Sequence, residues 1–265
     1  MAGNHPTDLP ASLVAEYRGP VALLRINRPA KRNALNEETV LGLERFFLNL
    51  PSDIRAVVLD GEGDHFCAGL DLSEVRERDA TDALFHSRMW HRAFTPIAEG
   101  NVPVVAVLHG AVIGGGLELA CCAHIRVAEK TAFYALPEGQ RGIFVGGGGS
   151  VRVPQLIGVA RMQDMMLTGR TYGADEGVAV GFSQYLTEPG QGLTKALELA
   201  DRIAANARLT NYAVIHALPK IARADPQTGL FAESLMAGIS LADEEAKQRL
   251  ADFLERRAAK VVHGG

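Results

Sequence analysis

The sequence predicts an α/β core followed by an α-helical C-terminal part. Three observations carry this. Short runs rich in Val, Leu and Ile alternate with apolar residues at helical spacing, strand signals stop after about Tyr185, and no Ser/Pro linker, internal repeat or low-complexity tract divides the chain. Taken in order, Met1 to Tyr17 carries Pro6, Asp8, Pro10 and Glu16 and no basic stretch followed by an apolar run, so it reads as a short frayed lead-in and not as a secretory signal. Residues 21–26 (VALLRI) and 56–59 (AVVL) read as strands, ended by the turn-forming residues 27–29 and 60–63. Between them, residues 36–50 place Val40, Leu41, Leu43, Phe46, Phe47 and Leu50 near helical spacing, which makes the unit strand, helix, strand. Residues 102–108 form a further strand whose continuous apolar character suits a strand covered on both faces, and a helix follows it. Residues 125–128 and 132–136 suggest strands around a turn, and 158–167 and 193–207 suggest helices. Near the end, Ser240-Leu-Ala-Asp243 has capping-box spacing before a helix running to about Arg257, with Leu250, Phe253 and Leu254 as its apolar stripe. The expected division is an α/β core over residues 1–200 and a helical region over 201–265.

At roughly 150 residues per domain, 265 residues allow one large domain or two small ones. With 47% apolar residues, 22% charged and 28 glycines, the chain can bury a sizeable core, which excludes disorder, collagen and coiled coil. The 27 basic and 31 acidic residues give a net charge of −4 with no run of five like charges, so nucleic acid and membrane surfaces are not expected partners. Cys67, Cys121 and Cys122 are an odd set with two adjacent members, which offers neither a disulfide framework nor a C-x-x-C motif and points to a reducing, cytoplasmic compartment. Residues 102–123 are long and apolar enough to imitate a membrane span. Pro103, His109, Glu118 and the glycines at 110 and 114–116 argue instead for a buried strand followed by a buried helix.

The most informative stretch is Gly110-Ala-Val-Ile-Gly114-Gly115-Gly116-Leu-Glu118, a strand running into a glycine triplet that opens a helix. Unpaired N–H groups there face outward, and a backbone without β-carbons allows close approach, so the segment is suited to an anion or an oxyanion. Tight helix–strand packing is the other use of such glycines. The spacing does not fit G-x-G-x-x-G, and neither this run nor Gly146 to Gly149 followed by Ser150 carries the lysine of a phosphate-binding loop. Glu118 stands among Leu117, Leu119, Ala120 and two cysteines. It is either a desolvated carboxylate with a raised pKa or a first-turn glutamate that stabilises its helix, and residue type alone does not choose. In His65-Phe-Cys-Ala68-Gly69-Leu70-Asp71-Leu72, the Leu70 N–H is free to point into a cavity while Asp71 suits a helix cap. Glu138, in Pro137-Glu138-Gly139, reads in isolation as a solvated turn residue.

Together these segments resemble the crotonase superfamily, the enoyl-CoA hydratase/isomerase family. The resemblance lies in residues 27–35 (NRPAKRNAL), 66–72 (FCAGLDL), 110–120, Leu136-Pro-Glu138 and Leu167-Thr-Gly169, and covers nearly the whole chain. It implies a spiral of ββα units with an α-helical C-terminal subdomain that mediates trimerisation, as a homotrimer or dimer of trimers. It also implies an acyl-CoA substrate and no cofactor or metal beyond the coenzyme A of that substrate. By position, the backbone amides of Leu70 and Gly115 would form the oxyanion hole for the thioester. Glu118 and Glu138, twenty residues apart, would be the catalytic pair of a hydratase of fatty acid or other lipid metabolism. The pair would hold one water, with Glu118 as base toward it and Glu138 as acid toward C2. Lys31, Arg32, Ala34, Ala68, Asp71, Leu72, Gly114 and Pro137 would contact the substrate, the first two at its phosphate-adenine end.

The alternatives within the resemblance are double-bond isomerisation and hydroxyacyl-CoA cleavage, and outside catalysis a noncatalytic acyl-CoA binder. Two features depart from the family's pattern: Phe144-Val-Gly-Gly-Gly-Gly-Ser150, where a proline and fewer glycines are common, and His109 in place of a commoner Asn. Met89, Trp90, Phe94, Met162 and Met165 are candidates for an acyl pocket, although such residues at helical spacing are more often core.

Overall fold

The computed structural model describes residues 9–74 and 79–255, and the chain divides into two compact units that meet in sequence at Ala204 and Ala205. The larger unit begins with β1 (Leu13–Arg18) and β2 (Val21–Ile26), which pair antiparallel across the Gly19–Pro20 turn. Residues 13–18 are thus an edge strand and not a frayed lead-in. Only one side of β1 is covered, so Glu16 and Arg18 lie on it without cost and give the segment a polar look. Next come α1 (Glu37–Leu48), β3 (Ala56–Gly61), α2 (Ala80–Ala98), β4 (Val104–Leu108), β5 (Ala111–Ile113) and α3 (Gly115–Ala120). They are followed by β6 (Ile125–Glu129), β7 (Phe133–Ala135), α4 (Gly149–Ile157), α5 (Val159–Thr168), β8 (Tyr172–Gly173), α6 (Ala174–Val180), β9 (Tyr185–Thr187) and α7 (Gly192–Ala204). The last of these stops at Ala204, three residues short of the predicted end.

A six-stranded sheet runs β1-β2-β3-β4-β6-β9, parallel from β2 onward, and a three-stranded sheet runs β5-β7-β8. Alternation along each strand builds two cores on opposite faces of the large sheet. Val21, Leu23, Ala56, Val58, Val105, Val107 and Val127 pack with Ala196, Leu199 and Ala200 of α7. Ala22, Leu24, Ile26, Val57, Leu59, Val104, Ala106 and Leu108 face the other way, into the cluster containing Phe46, Phe94 and Leu117. Burial on both faces is why these strands read as unbroken apolar runs. Helix α1 starts where it does because the Asn36 side chain accepts from Thr39 N at 3.1 Å, with Glu37 and Glu38 in the first turn. Trp90, Phe94, Met162 and Met165 are buried in the core and Met89 packs against it.

The smaller unit is helical: α8 (Arg208–His216), α9 (Leu218–Ile221), α10 (Pro226–Ala242) and α11 (Glu244–Leu254). Here the predicted capping box fails. Ser240 lies inside α10, and Asp243 is itself the cap of α11, its carboxylate accepting from Ala246 N at 3.1 Å. An N-cap Asp followed by Glu244 and Glu245 satisfies the helix start directly, so no serine three residues earlier is needed. The helix ends at Leu254, while Arg257 lies outside the described residues. Leu250, Phe253 and Leu254 form an exposed stripe.

Candidate active site

Parallel pairing brings the first two acidic candidates together. Strand β5 pairs with β7 in the register Ile113↔Ala135, and Gly114 N donates to Ala135 O at 2.9 Å, so both chains leave the small sheet side by side. One turns into α3, which carries Glu118, and the other into the turn at Pro137 and Glu138. The turn at Gly114 has φ +54° and ψ −124°, and a β-carbon there would lie 2.6 Å from Glu138 Oε1. Glycine is required on both counts.

Glu118 and Glu138 are 3% and 8% exposed, so neither is a solvated surface glutamate. Their partners differ. Glu118 Oε1 accepts from Gly147 N at 2.8 Å and Gly149 N at 2.7 Å. Glu138 Oε2 is buried with no hydrogen-bond partner among the described residues. Burial raises the pKa of Glu118, opposed by the N–H groups of Gly149 and Gly147 and by the charge of Arg152. Burial also raises the pKa of Glu138, and the nearby charge of Glu118 raises it further against its own backbone N–H and Arg141. Two coupled carboxyls with pKa values raised by burial hold and release protons at higher pH than exposed glutamates do.

The main-chain donors come from an adjoining loop. Residues 67–71 run between β5 and the segment ending at Leu35. Cys67 N donates to Ala111 O and Cys67 O accepts from Ile113 N, while Gly69 O accepts from Leu35 N and Asp71 N donates to Leu35 O. Backbone alternation therefore turns the Leu70 N–H back toward the β5 side, just past the point where the chain bends at Gly114. A β-carbon on Gly69 would lie 2.6 Å from Ile113 O and 3.2 Å from Gly115 N, and one on Gly115 would lie 3.6 Å from Leu70 N. Neither the Leu70 nor the Gly115 N–H donates to a partner among the described residues. The benzo edge of Trp90 closes this corner, since Cζ3 would stand 2.8 Å from a β-carbon on Gly115 and Cε3 3.2 Å from one on Gly147.

The other predicted contacts fall into one neighbourhood built by residues 28–35. Arg32 and Asn33 are left-handed, at φ 50° and 56°, and Arg32 O accepts from Ala68 N, which ties the exposed Lys31–Arg32 turn to the loop of Leu70. Ala34 is buried beside it and accepts through its carbonyl from the Arg28 guanidinium. Asp71, buried, pairs with Arg28 at 2.7 Å and accepts from Ser73 N and Oγ, and these bonds, the Ser73 hydroxyl foremost, hold its pKa at about 2. Its carboxylate is thus engaged in structure. Leu72 is exposed at the start of a short 3₁₀ turn (Leu72–Glu74), and Pro137 is half-buried.

Sequence reasoning missed Arg28, Asn33 and the glycine run as working parts. Asn33 accepts from Arg28 N at 2.8 Å and donates to Glu62 O and His65 O, holding the whole turn. The run 146–149 supplies the donors on Glu118, and the signal available was a buried carboxylate needing N–H partners next to four residues without side chains. A cleft of about 690 Å³, lined by Arg25, Asp60, His109, Glu129 and Gly190 among others, lies at the carboxyl ends of the large-sheet strands and includes none of residues 70, 115, 118 and 138. Among the described residues no group of three His, Cys, Asp or Glu is placed to hold a metal ion.

Comparison with known proteins adds three findings. A family model described as Enoyl-CoA hydratase/isomerase matches residues 16–262. The chain is 30% identical to a short-chain-enoyl-CoA hydratase of Clostridium acetobutylicum over 93% of this chain and 95% of that one, and 32% identical to an enoyl-CoA hydratase of Mycobacterium tuberculosis over 94% and 95%. A crystal structure from Rhodopseudomonas palustris, provisionally assigned as an enoyl-CoA hydratase, superposes with a TM-score of 0.91 at 63% identity, covering 95% of this chain and 97% of that one.

Proposed function

The chain belongs to the enoyl-CoA hydratase/isomerase family, has its α/β crotonase fold and is an enzyme acting on enoyl-CoA; from that premise we propose that it adds water across the 2,3 double bond of an acyl-CoA thioester. What supports the reading is that two buried carboxyls, both with raised pKa values, share this corner with two backbone N–H groups that have no partner among the described residues. The thioester oxygen accepts from Leu70 N and Gly115 N, which stabilises the enolate as it forms; losing one such donor typically costs about 2.7–4 kcal/mol of barrier. A water between the glutamates gives its proton to Glu118 as its oxygen bonds C3, and the π electrons move toward the thioester oxygen. Glu138 then delivers a proton to C2, and the thioester carbonyl is restored.

The anchoring of Glu118 Oε1 by two N–H groups supports its role as the fixed carboxylate, with Oε2 left toward the water. The unpartnered Oε2 of Glu138 supports a carboxyl whose proton is available to substrate. Lys31 and Arg32, exposed at the rim, suit the phosphates of coenzyme A. No cofactor beyond that substrate enters the scheme. We assign the exposed apolar side chains Leu230, Phe231, Leu235 and Ile239 of α10 and the stripe of α11 to self-association, as a homotrimer or dimer of trimers. No described helix is long and apolar enough to cross a membrane, and three buried free cysteines suit a cytoplasmic setting in lipid metabolism.

Purified protein mixed with crotonyl-CoA and longer enoyl-CoAs is expected to bleach the conjugated-enoyl absorbance. Tight coenzyme A binding with no conversion of any of them would overturn catalysis. Products formed from 3-enoyl-CoA separate hydration from double-bond migration.

A further inference from the structure

The glycine run that holds Glu118 is itself held by side chains from α2 and α4. The peptide between Gly146 and Gly147 presents its N–H to Glu118 Oε1 at 2.8 Å. At its other end the Gly146 carbonyl accepts from the Ser87 hydroxyl of α2 at 2.7 Å, a bond spanning 59 residues of sequence. The next carbonyl, Gly147 O, accepts from Arg152 of α4 at 3.2 Å. Gly148 between them is left-handed at φ +99°, which lets Gly147 and Gly149 aim their N–H groups at the same oxygen. A β-carbon at Gly147 or Gly149 would sit 3.0 Å or less from a Glu118 carboxylate oxygen, so the run and the carboxylate are mutually fitted.

We propose that Ser87 is a positioning residue for Glu118: its hydroxyl fixes and polarises the 146–147 peptide, whose N–H in turn orients the carboxylate. The proposal rests on the reading of Glu118 as a proton-handling group. A donor on a peptide carbonyl strengthens the N–H of that same peptide, and Oε1 is the acceptor that gains. The groups facing this relay are Arg152 from α4, Glu138 from the turn after β7 with Arg141 behind it, and His91 and Arg88 from α2. His91 Nε2 stands 3.5 Å from Ser87 Oγ; burial foremost, with the charges of Arg88 and Arg152, lowers its pKa against a hydrogen bond to the Gly146 backbone, so His91 is a second neighbour of the carbonyl that Ser87 holds.

Infrared titration of the protonated carboxyl band, with Glu118→Gln as the spectrum that identifies Glu118, reads the effect directly. Ser87→Ala is expected to raise the Glu118 midpoint by about half a unit, because the ionised form loses part of a charge-assisted hydrogen bond. The acid limb of kcat for crotonyl-CoA hydration is expected to move with it, a loss of about threefold below the midpoint, with KM unchanged. Ser87→Thr, which restores the hydroxyl, is expected to return both. An unmoved midpoint in Ser87→Ala overturns the proposal, and so does a midpoint that threonine fails to restore. The underlying reading fails separately: full activity in Glu118→Gln ends the catalytic role of Glu118, and the infrared midpoint then decides the Ser87–Glu118 coupling alone.

Discussion

Two buried acidic sites in the same unit use glycine N–H groups on carboxylates and reach opposite ends. In the cleft at the strand ends, Glu129 has both oxygens satisfied, Oε2 by Gly190 N and Oε1 by Gly192 N, each at 2.9 Å. Asp60 beside it accepts from Gly61 N and faces Arg25 and His109. The charges of Arg25, Asp60 and Glu129 there are each answered from within the protein. At the candidate active site two N–H groups crowd onto one oxygen of Glu118, and Glu138 keeps a buried oxygen with no protein partner among the described residues. A buried polar group left unsatisfied costs about 1–3 kcal/mol, so the second arrangement gives up stability that the first retains. What distinguishes the candidate active site from the cleft is therefore its unmet hydrogen-bonding capacity, and burial of acidic groups alone does not.

Glutamine substitutions break the comparison most sharply. Glu118→Gln and Glu138→Gln are each expected to lower kcat for crotonyl-CoA by about a hundredfold or more, the usual range for removing a general acid or base. Because burial raises both pKa values, each carboxylate is destabilising once pH climbs from the ordinary 4.5 toward its raised folded value, and glutamine removes that loss. Thermal unfolding at pH 8 is accordingly expected at or above the wild-type temperature in both variants.

Gly115→Ala is the next largest. Its β-carbon would meet Trp90 Cζ3 at 2.8 Å, and the displaced N–H is expected to cost about a hundredfold in kcat, measured in the same assay, with the fold intact by circular dichroism. Glu129→Gln reverses the pattern. Steady-state kinetics are expected to stay within about twofold of wild type, while urea unfolding loses about 1–3 kcal/mol as two charge-assisted bonds weaken. The smallest effect concerns His109. Burial, the largest influence, lowers its pKa, but the hydrogen bond and charge of Asp60, the charge of Glu129 and the Asp64 backbone together raise it above 6.5. A raised histidine stabilises fully below its unfolded pKa and less as pH passes its folded value, so the stability gap between wild type and His109→Gln is expected to narrow from pH 6 to 8.

The sequence made the large sheet legible because its strands are buried on both faces and have no polar alternation to confuse the pattern. It hid β1, whose LVAEYR run carries charges on an uncovered edge, and misplaced the start of α11, where a serine and an aspartate at suggestive spacing belong to two different helices. Leu70, Gly115, Glu118 and Glu138 are site candidates on local motifs plus resemblance. Glu138 taken alone looked solvated, and only the pairing of Ile113 with Ala135 explains why it is buried beside α3. The contributions of Arg28, Asn33, Ser87 and the 146–149 run depend on bonds between distant segments, and local spacing holds no record of those.

Solvent-oxygen incorporation tests the central claim most directly. With crotonyl-CoA in ¹⁸O-labelled water, wild-type protein is expected to yield 3-hydroxybutyryl-CoA labelled at C3, and both Glu118→Gln and Glu138→Gln are expected to form almost none in the same time. Unlabelled product with a migrated double bond, or labelled product from either variant at the wild-type rate, would contradict the account.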